Sequence, residues 1–134
     1  MSEEKTYTIS EVADMLCIAP STIRYYDAEG LLPFLQRVNG RRVFHESDLS
    51  SMRLIECLKN TGMSIRDIKT YFVLAKQGDS TLEERRDIIL KQKQSIYDQI
   101  EGLKLNLKTI EHKEKYYKEA IEAGTESIHF KKKK

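Results

Sequence analysis

Residues 81–123 constrain the fold more than any other part of this sequence, because they contain no proline and only one glycine, Gly102. Apolar residues recur through the segment with heptad spacing, although Lys93 and Glu114 interrupt the pattern. A long helix with such a seam is not stable alone in water and requires a partner helix. The sequence therefore predicts a coiled-coil dimerisation helix over residues 81–123. The predicted interface residues are Ile89, Ile96, Ile100, Leu103, Leu107, Ile110, Tyr117 and Ile121.

The N-terminal region carries the signals of two short helices. Thr8 and Glu11 have the spacing of a capping box, and apolar residues follow them at helical spacing. A break at residues 17–18 leads to Pro20, which suits a first helical position, and later to Gly30, which suits the residue after a helix end. Two short helices with so short a join predict a helix-turn-helix, in which the second helix is the recognition helix.

A small hairpin and two further helices follow. Asn39-Gly40 is the preferred pair for a two-residue type I′ turn, and short β-capable runs flank it. After a helix-turn-helix, such a hairpin is a wing. Apolar residues at helical spacing then predict one helix over about 46–61 and another over 64–78, each ended by a glycine.

The predicted fold is therefore mostly α, with two domains and a tail. A winged helix-turn-helix domain with its β-hairpin wing occupies residues 6–78. The long dimerisation helix of residues 81–123 follows, and Thr81 with Glu84 has the capping-box spacing for its start. Residues 124–134 form a short basic tail that ends in four lysines.

Charge and composition exclude some classes of protein. No stretch approaches the roughly 18 apolar residues that a membrane span requires, and the acidic N-terminus lacks the apolar region of a secretory signal. We therefore expect a cytoplasmic protein that does not bind a membrane. The formal net charge is only +2, and residues 1–50 carry five Lys or Arg against eight Asp or Glu. A nucleic-acid partner must therefore be argued from where the basic residues lie.

The sequence offers no pattern of metal ligands. Its three histidines are scattered along the chain, and its two cysteines, Cys17 and Cys57, cannot supply a four-thiolate iron–sulfur cluster. In a chain without a disulfide framework both are expected to be free thiols. We predict no metal site and no cofactor.

Several motifs occur in the order found in one known family. Thr-Ile-Arg-Tyr-Tyr at residues 22–26 lies within the string 21–27, which the string 8–13 precedes. Gly-Leu-Leu-Pro at 30–33, the wing at 39–44 and the segment 62–68 continue the pattern. This arrangement resembles the MerR family of bacterial transcription regulators, over residues 6 to about 123.

The resemblance implies a function and a set of contacts. It implies a sequence-specific regulator, not an enzyme, that binds double-stranded promoter DNA as an antiparallel homodimer on a pseudo-palindromic element. Such a dimer bends and untwists the promoter for RNA polymerase. The residues implied to contact DNA are Ser21, Thr22, Arg24, Tyr25, Arg41 and Arg42. Tyr26, by contrast, is expected to pack in the core with its hydroxyl group on a polar partner.

Cys57 is a candidate sensor. The string around it, residues 55–64, resembles the aldehyde- and thiol-stress-responsive subgroup of the family, in which a single cysteine of this helix is the sensor. Neighbouring Arg53 and Lys59 would favour the thiolate, which attacks electrophiles. The alternative is that Cys57 packs as a small apolar residue. Cys17 lies where the family often has glycine, and we expect it to be structural.

Two other functions stay open at this stage. One is a repressor that needs no effector and acts through its own concentration. The other is a coiled-coil interaction protein whose DNA-binding domain is vestigial. An enzyme is disfavoured because Cys57 has no histidine close to it in the sequence.

Overall fold

The computed structural model describes residues 5–130, and the mostly helical fold is as predicted. The chain separates into two compact units, one ending at Lys93 and the other starting at Gln94, and each is considered by itself. In chain order the strands and α-helices are β1 (Thr6–Tyr7), α1 (Ile9–Leu16), α2 (Pro20–Ala28), β2 (Gln36–Val38), β3 (Arg41–His45), α3 (Glu46–Asn60), α4 (Ile65–Gln77) and α5 (Leu82–Ala123).

The predicted helix-turn-helix is present as α1 and α2. The capping box that starts α1 is confirmed: Thr8 Oγ1 accepts the Glu11 N–H at 3.2 Å, and the Glu11 carboxylate accepts the Thr8 N–H at 2.9 Å. Helix α1 ends at Cys17, whose φ of 57° is left-handed, as its glycine-like position predicted. Pro20 is the first residue of α2, as predicted from its fixed φ.

The wing is the predicted hairpin of β2 and β3, with one additional strand. Asn39 and Gly40 both have positive φ, 52° and 77°, as a type I′ turn requires. Strand β1 pairs antiparallel with β3, which gives a three-stranded sheet in the order β1-β3-β2. We did not predict β1, because a two-residue strand is too short to show an alternating pattern.

The core of the first unit lies between the helix-turn-helix, the wing and the helices α3 and α4. One face of α3 carries four apolar residues, and all four are buried, as their spacing predicted: Leu49, Met52, Ile55 and Leu58. Ser64 caps helix α4, because its Oγ accepts the Asp67 N–H at 3.1 Å. The largest fully buried side chains are Val12, Ile23, Tyr26, Leu31, Phe44, Leu49, Met52, Ile55 and Ile68.

The predicted capping box at the start of α5 is wrong. Thr81 ends a 3₁₀ turn, and its hydroxyl group lies 2.6 Å from the carbonyl oxygen of Leu74 and 2.8 Å from that of Gly78. The same hydroxyl accepts the Nε–H of Arg85 at 3.0 Å. Thr81 is buried, so its side chain joins the α4–α5 connection instead of capping α5.

The second unit contains the C-terminal part of α5 and a 3₁₀ turn, Glu126–His129. This turn packs against the helix: the His129 ring stacks on that of Tyr116 at 4.1 Å, and the Tyr116 hydroxyl donates to Glu126 at 2.7 Å. Part of the predicted tail is therefore folded, while Lys131–Lys134 lie outside the described residues. Over residues 5–130, none of the helices combines the length and apolarity needed to cross a membrane.

Candidate nucleic-acid interface

Helix α2 has one face in the core and one in solvent. Ile23 and Tyr26 are fully buried, whereas Arg24 and Tyr25 are exposed. The predicted placement of Tyr26 in the core is thus confirmed. The same packing turns Arg24 and Tyr25 outward, so two of the residues implied to contact DNA lie on an accessible surface.

Ser21 and Thr22 lie in the first turn of α2. Ser21 is exposed and Thr22 is half-buried. Ala19 precedes the helix and gives it no side-chain cap, so the first amide groups of α2 are not satisfied in that way. The start of a helix, with hydroxyl groups nearby, favours anions such as a DNA phosphate.

A cleft of about 430 Å³ brings Arg24 of the recognition helix together with Arg41 and Arg42 of the wing. Gly40 and residues 8–10, at the start of α1, complete its lining. Three guanidinium groups around one concave surface suit phosphate oxygens and the acceptor edge of guanine. Ser21, Thr22 and Tyr25 lie outside this cleft, on the neighbouring surface of α2.

Asp27 links the recognition helix to the wing, and the sequence analysis assigned it no role. Its Oδ2 accepts from Nη2 of Arg37 at 2.6 Å and from Nε of Arg42 at 2.8 Å. Arg42 is therefore held by an ion pair as well as lining the cleft. The available signal was the spacing of Asp27 three positions after Arg24, which places both on adjoining parts of one helix surface.

Tyr26 connects the recognition helix to α3. Its hydroxyl group donates to Oε1 of Glu56 at 2.8 Å and accepts from Nζ of Lys59 at 3.1 Å. Burial, together with the hydrogen bond to Glu56, raises the pKa of Tyr26 above its usual value. The face of α2 that carries Arg24 and Tyr25 is thus supported from behind by a buried tyrosine in a polar cluster.

Cys57 is exposed on α3, between the two residues that contact Tyr26. This exposure contradicts the packing alternative. Cys17 is also a free and exposed thiol. Among residues 5–130 no cluster of three or more His, Cys, Asp or Glu side chains has a geometry that could hold a metal ion.

The predicted dimerisation residues lie along α5, and most of them are exposed apolar side chains. Ile96 is half-buried. The exposed members are Ile89, Ile100, Leu103, Leu107, Ile110, Tyr117 and Ile121. Among residues 5–130, no segment covers these seven side chains and removes them from water.

Two models of known protein families match successive, overlapping parts of the chain. Residues 7–73 match the model of the MerR HTH family regulatory proteins, and residues 49–113 match the model described as MerR, DNA binding. The chain belongs to the MerR family. The first match spans the helix-turn-helix, the wing, α3 and most of α4, and the second continues into α5.

Individual relatives agree with this assignment. An HTH-type transcriptional regulator of Haemophilus influenzae is 40% identical over 121 residues, which is 90% of each chain. The HTH-type regulator AdhR of Bacillus subtilis is 33% identical over 91 residues, 67% of this chain and 65% of AdhR.

A solved structure extends the likeness to the whole fold. HiNmlR, a MerR family regulator lacking the sensor domain and bound to promoter DNA, superposes with a TM-score of 0.87 at 39% identity, covering 92% of this chain and 99% of HiNmlR. The protein is a DNA-binding transcriptional regulator of the MerR type.

Proposed function

We propose that this regulator reads its operator with α2 and grips the adjoining backbone with the wing. Arg24 and Tyr25 contact base edges, Ser21 and Thr22 contact phosphate, and Arg41 and Arg42 hold the backbone beside them. The observation that carries the proposal is the shared cleft of Arg24, Arg41 and Arg42. A phosphate in that cleft would meet donors from both elements at once.

The functional unit that we propose is a homodimer paired antiparallel through α5. Its support is the row of exposed apolar side chains at heptad positions, which a partner helix would cover. A two-fold dimer presents two identical recognition helices, so its operator is a pseudo-palindrome. Residues 6–78 are then the DNA-binding domain and residues 81–123 the dimerisation domain.

We further propose that the bound dimer bends and untwists the promoter, which changes its use by RNA polymerase. Deforming a duplex costs from about 1 to about 6 kcal/mol in smooth-bending estimates. Contacts from two linked half-sites can offset a cost of this size. In vitro transcription from the promoter upstream of the protein's own gene, with and without the dimer, measures this effect directly.

Binding assays test the interface itself. The native protein first selects a duplex from a random library. The Kd of this duplex is then measured with native protein, with Arg24→Ala and with the control Arg86→Ala. Arg86 is an exposed arginine of α5, so its removal matches the change in charge. We expect Arg24→Ala to weaken binding by about ten- to a hundredfold, the cost of one lost bidentate base contact. Equal affinities for the two variants would exclude Arg24 from the interface.

Exposure of Cys57 favours a second function, a response to electrophiles. We propose that the Cys57 thiol adds to the carbonyl carbon of an aldehyde, forming a C–S bond while the thiol proton passes to the carbonyl oxygen. The product is a hemithioacetal, and the larger side chain shifts the balance between two states of the dimer. Transcription is compared for native protein and Cys57→Ser, each with and without aldehyde.

The outcome separates this response from the simpler alternative. An effect of aldehyde on the native protein alone supports Cys57 as the sensor. Identical transcription by both proteins under both conditions favours an effector-independent repressor. Cys17→Ser is the matched control, because Cys17 is the other exposed thiol.

A further inference from the structure

An acidic side chain lies within the basic surface that we assign to DNA. Asp27 is three residues after Arg24 on α2, and its carboxylate group is mostly buried beneath the wing. Charge alone makes such a group unfavourable for DNA binding, because it repels phosphate. An acidic residue at this place therefore needs a favourable contribution that outweighs its repulsion of phosphate.

The strand register of the wing shows that Asp27 lies against two arginines that repel each other. Arg37 of β2 and Arg42 of β3 are directly opposite one another in the hairpin. Like charges at such a position destabilise an antiparallel pair. Oδ2 of Asp27 accepts from both side chains, at 2.6 and 2.8 Å, and so offsets their repulsion while holding both against α2.

The atoms used in these ion pairs leave the DNA-binding groups in place. Arg42 contacts Asp27 through Nε, which is one of the five N–H donors of a guanidinium group. Its two terminal amino groups have no other hydrogen-bond partner among residues 5–130. Arg42 also lines the cleft with Arg24, so one edge of its guanidinium group faces Asp27 while the others can meet phosphate.

We propose that Asp27 is a positioning residue for operator binding. It holds Arg37 and Arg42 at a fixed place relative to the recognition helix, so that backbone contacts and base reading occur in one register. The inference rests on the proposed interface and deepens it. Because non-specific binding needs charge and no register, Asp27 raises the preference for the operator over other DNA.

Substituting Asp27→Asn separates two effects on operator affinity. If Asp27 only repels DNA phosphate, the variant should bind the operator more tightly; if Asp27 positions Arg37 and Arg42, the variant should bind it more weakly. The matched control is Glu29→Gln, which removes the same charge from the same end of α2 at an exposed residue. We expect Asp27→Asn to bind the selected duplex about tenfold more weakly, which corresponds to one lost charge-assisted contact. Its affinity for unrelated DNA should stay the same or rise, as with Glu29→Gln. Operator binding by Asp27→Asn as tight as that by Glu29→Gln would overturn the proposal.

Arg42→Lys tests the same link without changing the net charge, and it carries the test if Asp27→Asn fails to fold. A lysine ammonium is a compact point charge, and it lacks the rigid planar fork by which an arginine presents donors to a carboxylate and a phosphate on separate edges. We expect a similar loss of operator affinity, and no further loss when Asp27→Asn is added to it. Undiminished operator binding by Arg42→Lys would contradict the role of Asp27.

The Arg24→Ala measurement keeps this inference distinct from the proposed interface. If Arg24→Ala weakens binding and Asp27→Asn does not, the interface stands and the positioning role is overturned. If Asp27→Asn weakens binding and Arg24→Ala does not, the positioning role is supported and the assignment of base reading to Arg24 is wrong.

Discussion

The hydroxyl group of Tyr26 donates a hydrogen bond to the carboxylate of Glu56, and this contact joins the back of the recognition helix to α3. Nζ of Lys59 donates to the same hydroxyl group and lies 5.2 Å from the centre of the tyrosine ring. Tyr26 is fully buried, so the ring contributes to the core while its polar end is satisfied. The orientation of the exposed face of α2, which we propose to read DNA, thus depends on a contact on the opposite side of the helix.

Tyr26→Phe should reduce the free energy of unfolding by about 1 kcal/mol, because the ring still fills its site but the hydrogen bond is lost. Tyr25→Phe is the matched control, since Tyr25 is the adjacent tyrosine and is 48% exposed. Denaturant titration of both variants gives the two free energies. Equal stability of Tyr26→Phe and native protein would mean that the Glu56 contact contributes nothing net.

Alkaline pH should destabilise the fold. Burial raises the pKa of Tyr26 above the ordinary value of 10.0, and the hydrogen bond to Glu126 raises the pKa of Tyr116 to about 12. The folded state therefore keeps protons that the unfolded chain releases above pH 10. The contribution of these groups is fully present below pH 10, and the free energy of unfolding falls as the pH rises toward their folded-state pKa values.

Denaturant titrations on either side of pH 10 measure this fall, and Tyr26→Phe provides the comparison. Without the Tyr26 hydroxyl group, the decline above pH 10 should be shallower than in the native protein. If the free energy of unfolding declines equally with pH in the two proteins, the pKa of Tyr26 is the same in the folded and unfolded states.

Gln92 links the start of α5 to the end of α3. Its Nε2 donates to the carbonyl oxygen of Thr61 at 3.1 Å and to Oγ1 of Thr61 at 2.6 Å. Gln92→Ala should lower the free energy of unfolding by about 1 kcal/mol through the loss of these contacts. Gln94→Ala is the control, because Gln94 is exposed and its amide contacts Asp98 on the same helix. Equal effects of the two substitutions would argue against the Thr61 contact.

Local rules predicted the parts of the fold whose interactions span only a few residues. The Thr8–Glu11 capping box and the Asn39-Gly40 turn each follow from neighbours within four positions, whereas the left-handed Cys17 was anticipated from the family's glycine at that position. Thr81 has the same capping spacing, yet its hydroxyl group contacts Leu74, seven residues earlier. A competing tertiary acceptor decided that case, and sequence spacing does not reveal such an acceptor.

The candidate DNA-binding surface also combines features that were expected from the sequence with contacts that only the structure shows. The expected DNA contact of Arg24 and the expected burial of Tyr26 came from the family resemblance, and the structure places Arg24 in solvent and Tyr26 in the core. The ion pairs of Asp27 with Arg37 and Arg42 span ten and fifteen residues and depend on how the wing packs on α2. The sequence showed those charges but not their proximity, so their pairing required the structure.

Leu103 and Leu105 allow a sharp test of the dimer. Both are leucines of α5 with nearly equal exposure, 66% and 65%, but only Leu103 belongs to the heptad seam. A lysine at a seam position would be buried against the partner helix, where its charge is costly. We therefore expect Leu103→Lys to weaken dimerisation at least about a hundredfold and Leu105→Lys to leave it unchanged.

Sedimentation equilibrium over a range of concentrations measures both variants against the native protein. Loss of the dimer should also weaken binding to the selected duplex, because the two half-sites are then bound independently. Equal dimerisation by the two variants would show that the seam is not the interface. Dissociation by Leu105→Lys alone would place the contact on a different face of α5.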